Sequence, residues 1–168
     1  MRTLALLLTV LIAAVALGCG ASPPPPSAPS ALLNKPLPKF KRRTLGGGSV
    51  NTEPGQVVVV KFFAKYCEPC MKTLPKAQAL HQEHADVRFI GVAEDEYQAD
   101  VDEMVQTFGL TFPIVHDRGN VLAGRFRVSE MPITFVADAT GTIVWVAGER
   151  QKEDDLEAAV AWVKSGGS

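Results

Sequence analysis

Cys67 and Cys70 are the residues in this 168-residue chain whose type and spacing speak most directly of chemistry. They lie in the run Phe62-Phe63-Ala64-Lys65-Tyr66-Cys67-Glu68-Pro69-Cys70. A cysteine reacts as its thiolate, and thiolates form where positive charge is near. The β-branched run Val57-Val58-Val59-Val60 predicts a buried central strand just before the pair. Met71 to Ala85 has helical spacing. The pair therefore falls at a strand-to-helix junction, with Cys67 near the N-cap. Unpartnered N–H groups and the positive end of the helix dipole favour a thiolate there. In such places a cysteine pKa drops from about 8.5 to roughly 3.5–7.5. Cys67 is expected to attack disulfides, and Cys70, one turn on and deeper, to resolve the mixed disulfide.

The elements that must position this pair can be read in order. Phe40 to Leu45 and Val50 flank Gly46-Gly47-Gly48, which predicts an N-terminal hairpin. Glu53-Pro54-Gly55 turns into the Val57–Ala64 strand. A helix is expected from Glu68 to about His84, with Pro69 tolerated in its first turn and Pro75 kinking it. Val87 to Ala93 is the next strand, followed by Glu94-Asp95-Glu96 as an acidic helix start. Tyr97, Val101, Met104, Val105 and Phe108 recur at helical spacing until Gly109. Phe112 to Val115 is a short strand and Gly119 to Phe126 a short helix. Ile133 to Ala137 and Thr142 to Ala147 are strands joined by the turn Asp138-Ala139-Thr140-Gly141. The last helix starts at Glu153-Asp154-Asp155 and buries Leu156, Ala159, Val160 and Val163. The pattern predicts an α/β sandwich on a mixed sheet.

Both ends and the composition bound where this unit works. Arg2, the apolar stretch Leu4 to Leu17 and Gly18-Cys19 have the anatomy of an export signal, too short for a membrane span. Residues 1–18 are expected to be a signal peptide of the lipoprotein type, because Ala16-Leu17-Gly18-Cys19 resembles a lipobox; Cys19 would carry the lipid. Residues 19–36 include Pro23-Pro24-Pro25-Pro26 and are expected to form the anchor site and a Pro/Ser-rich unstructured spacer. Residues 37–168 form the single domain. A net charge of −1 gives no reason to expect a nucleic-acid partner. Lys35, Lys39, Lys41, Arg42 and Arg43 read as a solvated basic face near the spacer. Of the three cysteines, Cys19 is assigned to the lipid, which leaves only the close pair. A bond across so short a loop adds little chain-entropy stabilisation, so the pair reads as redox-active rather than as a staple.

The block Phe62-Phe63-Ala64, Tyr66 and Cys67-Glu68-Pro69-Cys70, with Pro75 beyond it and Met131-Pro132-Ile133-Thr134-Phe135 far downstream, resembles the thioredoxin superfamily. The likeness is greatest to its TlpA/ResA-like branch of membrane-anchored thiol-disulfide oxidoreductases, and it covers about Pro38 to Val163. It implies a thioredoxin-like α/β fold with a central mixed sheet, an N-terminal β-hairpin and an inserted helix. It implies a reductant of protein disulfides outside the cytoplasm, facing the periplasm or the outer side of the membrane, with cytochrome c maturation as one such role. Protein dithiols and disulfides, an upstream electron donor and the membrane are the implied partners; a monomer without metal or organic cofactor is expected. Pro132 is expected to be cis and to turn the Met131 backbone toward the disulfide. Tyr66, Glu68, Pro69, Met131 and Pro132 shape the substrate site. Glu68 should oppose the helix dipole and make the couple more reducing. Relatives often place a carboxylate six residues before the first cysteine or three after the second. Here those positions are Lys61 and Thr73. Lys61 is expected to snorkel out at the strand end, or else to favour a thiolate as an electrostatic modulator or to be partly neutral through desolvation. Glu94 is a conceivable substitute for the missing carboxylate.

Other readings are weaker. Cys67-x-x-Cys70 followed by His81-x-x-His84 superficially resembles a zinc pattern, but Cys70 and His81 on one helix would stand about 16 Å apart along its axis. Zinc holds its ligands at about 2.3 Å. A peroxiredoxin-like enzyme of the same fold needs a threonine where this chain has Ala64. A copper chaperone wants a wider cysteine spacing and a distant histidine, so His116 reads as a loop residue. A non-catalytic adaptor or holdase that keeps the fold is the remaining class.

Overall fold

The computed structural model describes residues 22–168. The expected signal peptide and Cys19 lie outside the described residues. β3 (Val58–Phe63) is buried along its whole length, because its neighbours occupy both edges and both faces. The sheet order is β5-β4-β3-β6-β7. β4 (Arg88–Ala93) and β5 (Ile114–His116) run parallel in succession from β3, whereas β6 (Ile133–Ala137) and β7 (Ile143–Ala147) continue antiparallel on its other side. β1 (Lys41–Arg43) and β2 (Ser49–Asn51) pair antiparallel as a separate hairpin. This is the mixed sheet, with N-terminal hairpin, that the sequence predicts.

Successive β3 side chains point to opposite faces, and each face has its own core. Val59 and Phe63 pack with Cys70, Leu74 and Leu80 of α1 (Glu68–Glu83) and Leu156 and Val160 of α4 (Glu153–Lys164). Val58, Val60 and Phe62 pack with Phe126 of α3 (Val121–Phe126) and Phe135 of β6. Each such side chain taken wholly out of water contributes about 1.5–3 kcal/mol. α1 continues through Pro75 without a break. α2 (Gln98–Thr107) starts later than expected, with Tyr97 at its N-cap. Glu94 and Asp95 stay in the loop before it. Asp95 is held there by the Lys65 N–H, which donates to its Oδ1 at 2.9 Å, so the acidic run cannot open the helix. Among the described residues no helix is long and apolar enough to cross a membrane.

The expected unstructured spacer is the main departure. Its second half lies along β7. Ala28 N–H donates to Val146 O at 2.7 Å, and Val146 N–H to Ser27 Oγ at 2.6 Å. Asn34 N–H donates to Ile143 O, and Ile143 N–H to Lys35 O. The Trp145 indole N–H donates to Pro25 O at 2.9 Å. β7 is the last strand of the sheet, and its outer backbone groups need partners. Proline lacks an N–H but keeps its carbonyl, so an extended Pro/Ser strap can supply acceptors while Ser27, Ala28 and Asn34 supply donors. Ala28 and Leu37 join the core on that face.

Gly91 of β4 is required by close packing. A Cβ there would stand 2.6 Å from Ile114 Cδ1, 2.8 Å from Phe112 Cε2 and 2.9 Å from Phe63 Cε1. Gly91→Ala is therefore expected to cost about 1–3 kcal/mol, measured as a lower urea midpoint with an unchanged slope.

Candidate active site

β3 ends beneath the start of α1, and the turn between them carries the two cysteines. Cys67 is the N-cap of α1. Its backbone N–H donates to Ala64 O, and the Cys70 N–H donates to Cys67 Sγ at 3.2 Å. One of the helix's orphan donors thus points at the sulfur, as the sequence placement requires. Cys67 and Cys70 are joined as a disulfide, with Cα atoms 5.3 Å apart. Cys67 keeps 7% of its surface exposed and Cys70 none. Only the first sulfur can meet a visiting molecule. The turn is tied to the rest of the domain through Lys65, whose Nζ donates to Asp100 at 2.8 Å and to Glu103 at 2.7 Å on α2.

A groove runs beside Cys67, lined by Tyr66, Pro69, Glu94, Glu130 and Met131 among others. The Met131–Pro132 bond at its far wall is cis. Tyr66 is 71% exposed and offers its ring to a partner. Glu68 points into solvent, 3.8 Å from Lys72, so water weakens its action on the sulfurs. Glu94 does reach this groove. Its Oε1 is buried without a hydrogen-bond partner among the described residues. Burial, and then the nearby Asp117 and Asp95 carboxylates, push its pKa up to about 7. Ser129 and Glu130 also line the groove. The sequence reading missed both, since loop residues without periodicity give no signal until the fold brings the loop to the cysteines.

Lys61 does not snorkel. It is 3% exposed, on the face of β3 that meets α1. Its Nζ donates to Thr73 Oγ1 at 2.9 Å, and Thr73 Oγ1 donates to the Cys70 carbonyl at 3.1 Å. The strand is covered at both ends of the residue, which leaves the stem no route to water. Burial lowers its pKa to about 8. Thr73 could have been found from its spacing: a threonine hydroxyl on a helix commonly bonds the carbonyl three residues back. His81 packs edge-on to Phe89 and Phe112, and His84 Nδ1 lies 3.2 Å from Lys164 Nζ. Neither stands with the cysteines.

A mixed sheet ending in a paired-cysteine helix cap, faced by a cis-proline loop, defines the class as a thioredoxin-fold thiol-disulfide oxidoreductase. Comparison with known proteins places it more closely. Residues 33–146 match the AhpC/TSA family, and the chain belongs to it. It is similar to the thiol-disulfide oxidoreductase ResA of Bacillus thuringiensis (strain Al Hakam), at 29% identity over 126 residues, 72% of this chain and 73% of that one. It is 32% identical over 114 residues to the thioredoxin-like protein YneN of Bacillus subtilis (strain 168), covering 63% and 65% of the two chains. The crystal structure of StoA from Bacillus subtilis superposes with a TM-score of 0.64 at 25% identity, over 71% of this chain and 94% of that one. A secreted Mycobacterium tuberculosis disulfide oxidoreductase homologous to E. coli DsbE shares the fold, with a TM-score of 0.67 at 23% identity over 73% and 94%.

Two stability measurements check the buried charges. Lys61 has a folded pKa below its unfolded value, so folding penalises its ammonium. The penalty is full below about pH 8 and fades as pH rises toward 10.5. Lys61→Met is expected to stabilise the oxidised protein at pH 7 by on the order of 3 kcal/mol and to abolish that rise in a urea-midpoint profile. Glu94 has the opposite displacement. Its raised pKa means stability declines as pH climbs from 4.5 to about 7. Glu94→Gln should flatten the urea midpoint across that window.

Proposed function

We propose that this protein reduces disulfides of other proteins outside the cytoplasm. The observation that carries the reading is the asymmetry of the pair: Cys67 caps a helix start and lines the open groove with a little of its surface exposed, while Cys70 is wholly buried. In the reduced protein the Cys67 thiolate attacks a partner's disulfide, forming a mixed disulfide and releasing one partner thiolate. Cys70 then attacks Cys67 Sγ. The Cys67–Cys70 bond forms, the mixed bond breaks, and the partner leaves with both sulfurs reduced. Two electrons pass to the partner, and an upstream dithiol restores the pair. Tyr66, Pro69, Met131 and Pro132 shape the groove that receives the partner chain. Cytochrome c precursors are one partner class that the resemblance suggests.

The proposed setting is an exported lipoprotein: residues 1–18 removed, Cys19 lipidated, residues 19–36 leading to the catalytic domain, and the domain acting as a monomer at the membrane surface. The reductive direction is taken from the resemblance to the ResA-like branch; the negative charge of Glu68 beside Cys67 opposes a strongly stabilised thiolate, though only weakly because it is exposed. Ala64 stands where a peroxide-reducing site of this fold would carry threonine, and this favours disulfide exchange over peroxide reduction.

Cys67→Ser should abolish reduction of a model protein disulfide. Cys70→Ser should instead accumulate mixed disulfides with partners, separable on a non-reducing gel and identified by mass spectrometry. A protein whose function in the cell is indifferent to Cys67→Ser would favour the adaptor reading instead. A redox titration of the wild type should give a potential well below −120 mV, the strongly oxidising end of the range for this fold.

A further inference from the structure

Lys61 is a buried lysine that pairs with no carboxylate among the described residues. Its ammonium has three N–H groups, and among the described residues it makes one hydrogen bond, to Thr73. No carboxylate oxygen of those residues lies within 4.0 Å of it. The cleft beside it holds about 30 Å³, room for one or two water-sized molecules. Among the described residues, two other charged ones line that cleft, and both are cations: Lys76 of α1 and Lys152 before α4. Asp154 and Glu157 of α4 hold Lys76 at 3.5 and 2.6 Å. β6 contributes only the uncharged Thr134 and β4 only Gly91 beside Lys61. An unpaired charge in such a place is destabilising. The single hydrogen bond that Lys61 does make leads, through one hydroxyl, to the backbone of Cys70.

We propose that Lys61 is the counter-ion for the Cys70 thiolate, an anion that comes into being only when the disulfide opens. The inference rests on the reading of the pair as redox-active. When a partner dithiol reduces the protein, a partner thiolate attacks Cys67 Sγ. A partner–Cys67 bond forms, the Cys67–Cys70 bond breaks, and its electron pair leaves on Cys70 Sγ. The partner's second thiolate then displaces Cys67, and the partner departs as a disulfide. Charge that was unmatched in the oxidised protein is now matched, and the Cys70 sulfur is kept as the thiolate that the reverse attack needs. Lys61 acts through Cys70 and touches no substrate; it is a positioning residue, held in place by Thr73.

The test is a pH titration by NMR of the full-length protein, labelled with carbon-13 and reduced, following Cβ of Cys70 and Cε of Lys61. In Lys61→Met the Cys70 midpoint should rise by ~1 pH unit or more, the low end of the effect of an opposite charge nearby. Thr73→Val, which frees the ammonium, should shift it the same way by less, and Lys61→Arg should hold it down. In the wild type the Lys61 midpoint should stand higher in the reduced than in the oxidised protein, a comparison that survives if the variants fail to fold. A Cys70 midpoint that stays within about 0.3 units in Lys61→Met, or a Lys61 midpoint equal in the two redox states, overturns the proposal. Disulfide reduction assayed on the same samples separates the two readings. Exchange with unmoved midpoints sinks the counter-ion alone, and moved midpoints without exchange sink the proposed activity alone.

Discussion

A strand buried on both faces and both edges can offer chemistry only at its end. β3 is such a strand, and its six residues are all buried. The turn that leaves its carboxyl end is the first backbone free to reach the surface, and there α1 begins. The two sulfurs inherit their unequal exposure from this geometry. Cys67 caps the helix at the rim, and Cys70 is carried inward by the first turn and lies against Phe63 and Leu74 in one core. The facing loop from Ser129 to Pro132 is set by β6, which pairs with β3 from Phe62 to Val58. One register therefore fixes both walls of the groove.

The same burial explains the arrangement of charge. A carboxylate on the outside of the turn, such as Glu68, is dissolved in water and acts weakly. Groups within the fold act strongly because little screens them. Glu94 stands on the open side of the pair and Lys61 beneath the closed side, and burial moves both away from their ordinary pKa values, in opposite directions. Glu94 lines the groove that a visitor would enter, and Lys61 is tied through Thr73 to the backbone of Cys70. Such a distribution treats the two cysteines differently although they are only one turn apart.

Much of this was legible from the chain alone. The Val57-Val58-Val59-Val60 run, the glycine-rich hairpin turn and the periodic apolar positions of α1 and α4 each name their element, because burial leaves a regular imprint on residue type. The cysteine pair and Pro132 were legible because their spacing and flanks are particular. What failed depended on contacts between distant parts. Lys61 reads as a strand-end lysine until Thr73 and the cover of α1 and β6 close over it. Glu94 and Asp95 read as a helix start until the Lys65 backbone claims Asp95. The Pro/Ser stretch reads as spacer on composition, and only the outer edge of β7 shows what its carbonyls are for.

That stretch has a mechanical consequence. If lipid is attached at Cys19, the leash ends where Pro25 meets the Trp145 indole, and the six steps from Cys19 to Pro25 reach at most ~22 Å even when fully drawn out. A leash running free to residue 36 would reach about three times as far, by the same measure. The enzyme would patrol a thin shell above the bilayer, meeting proteins as they emerge or dock there and overlooking those that drift past at a distance.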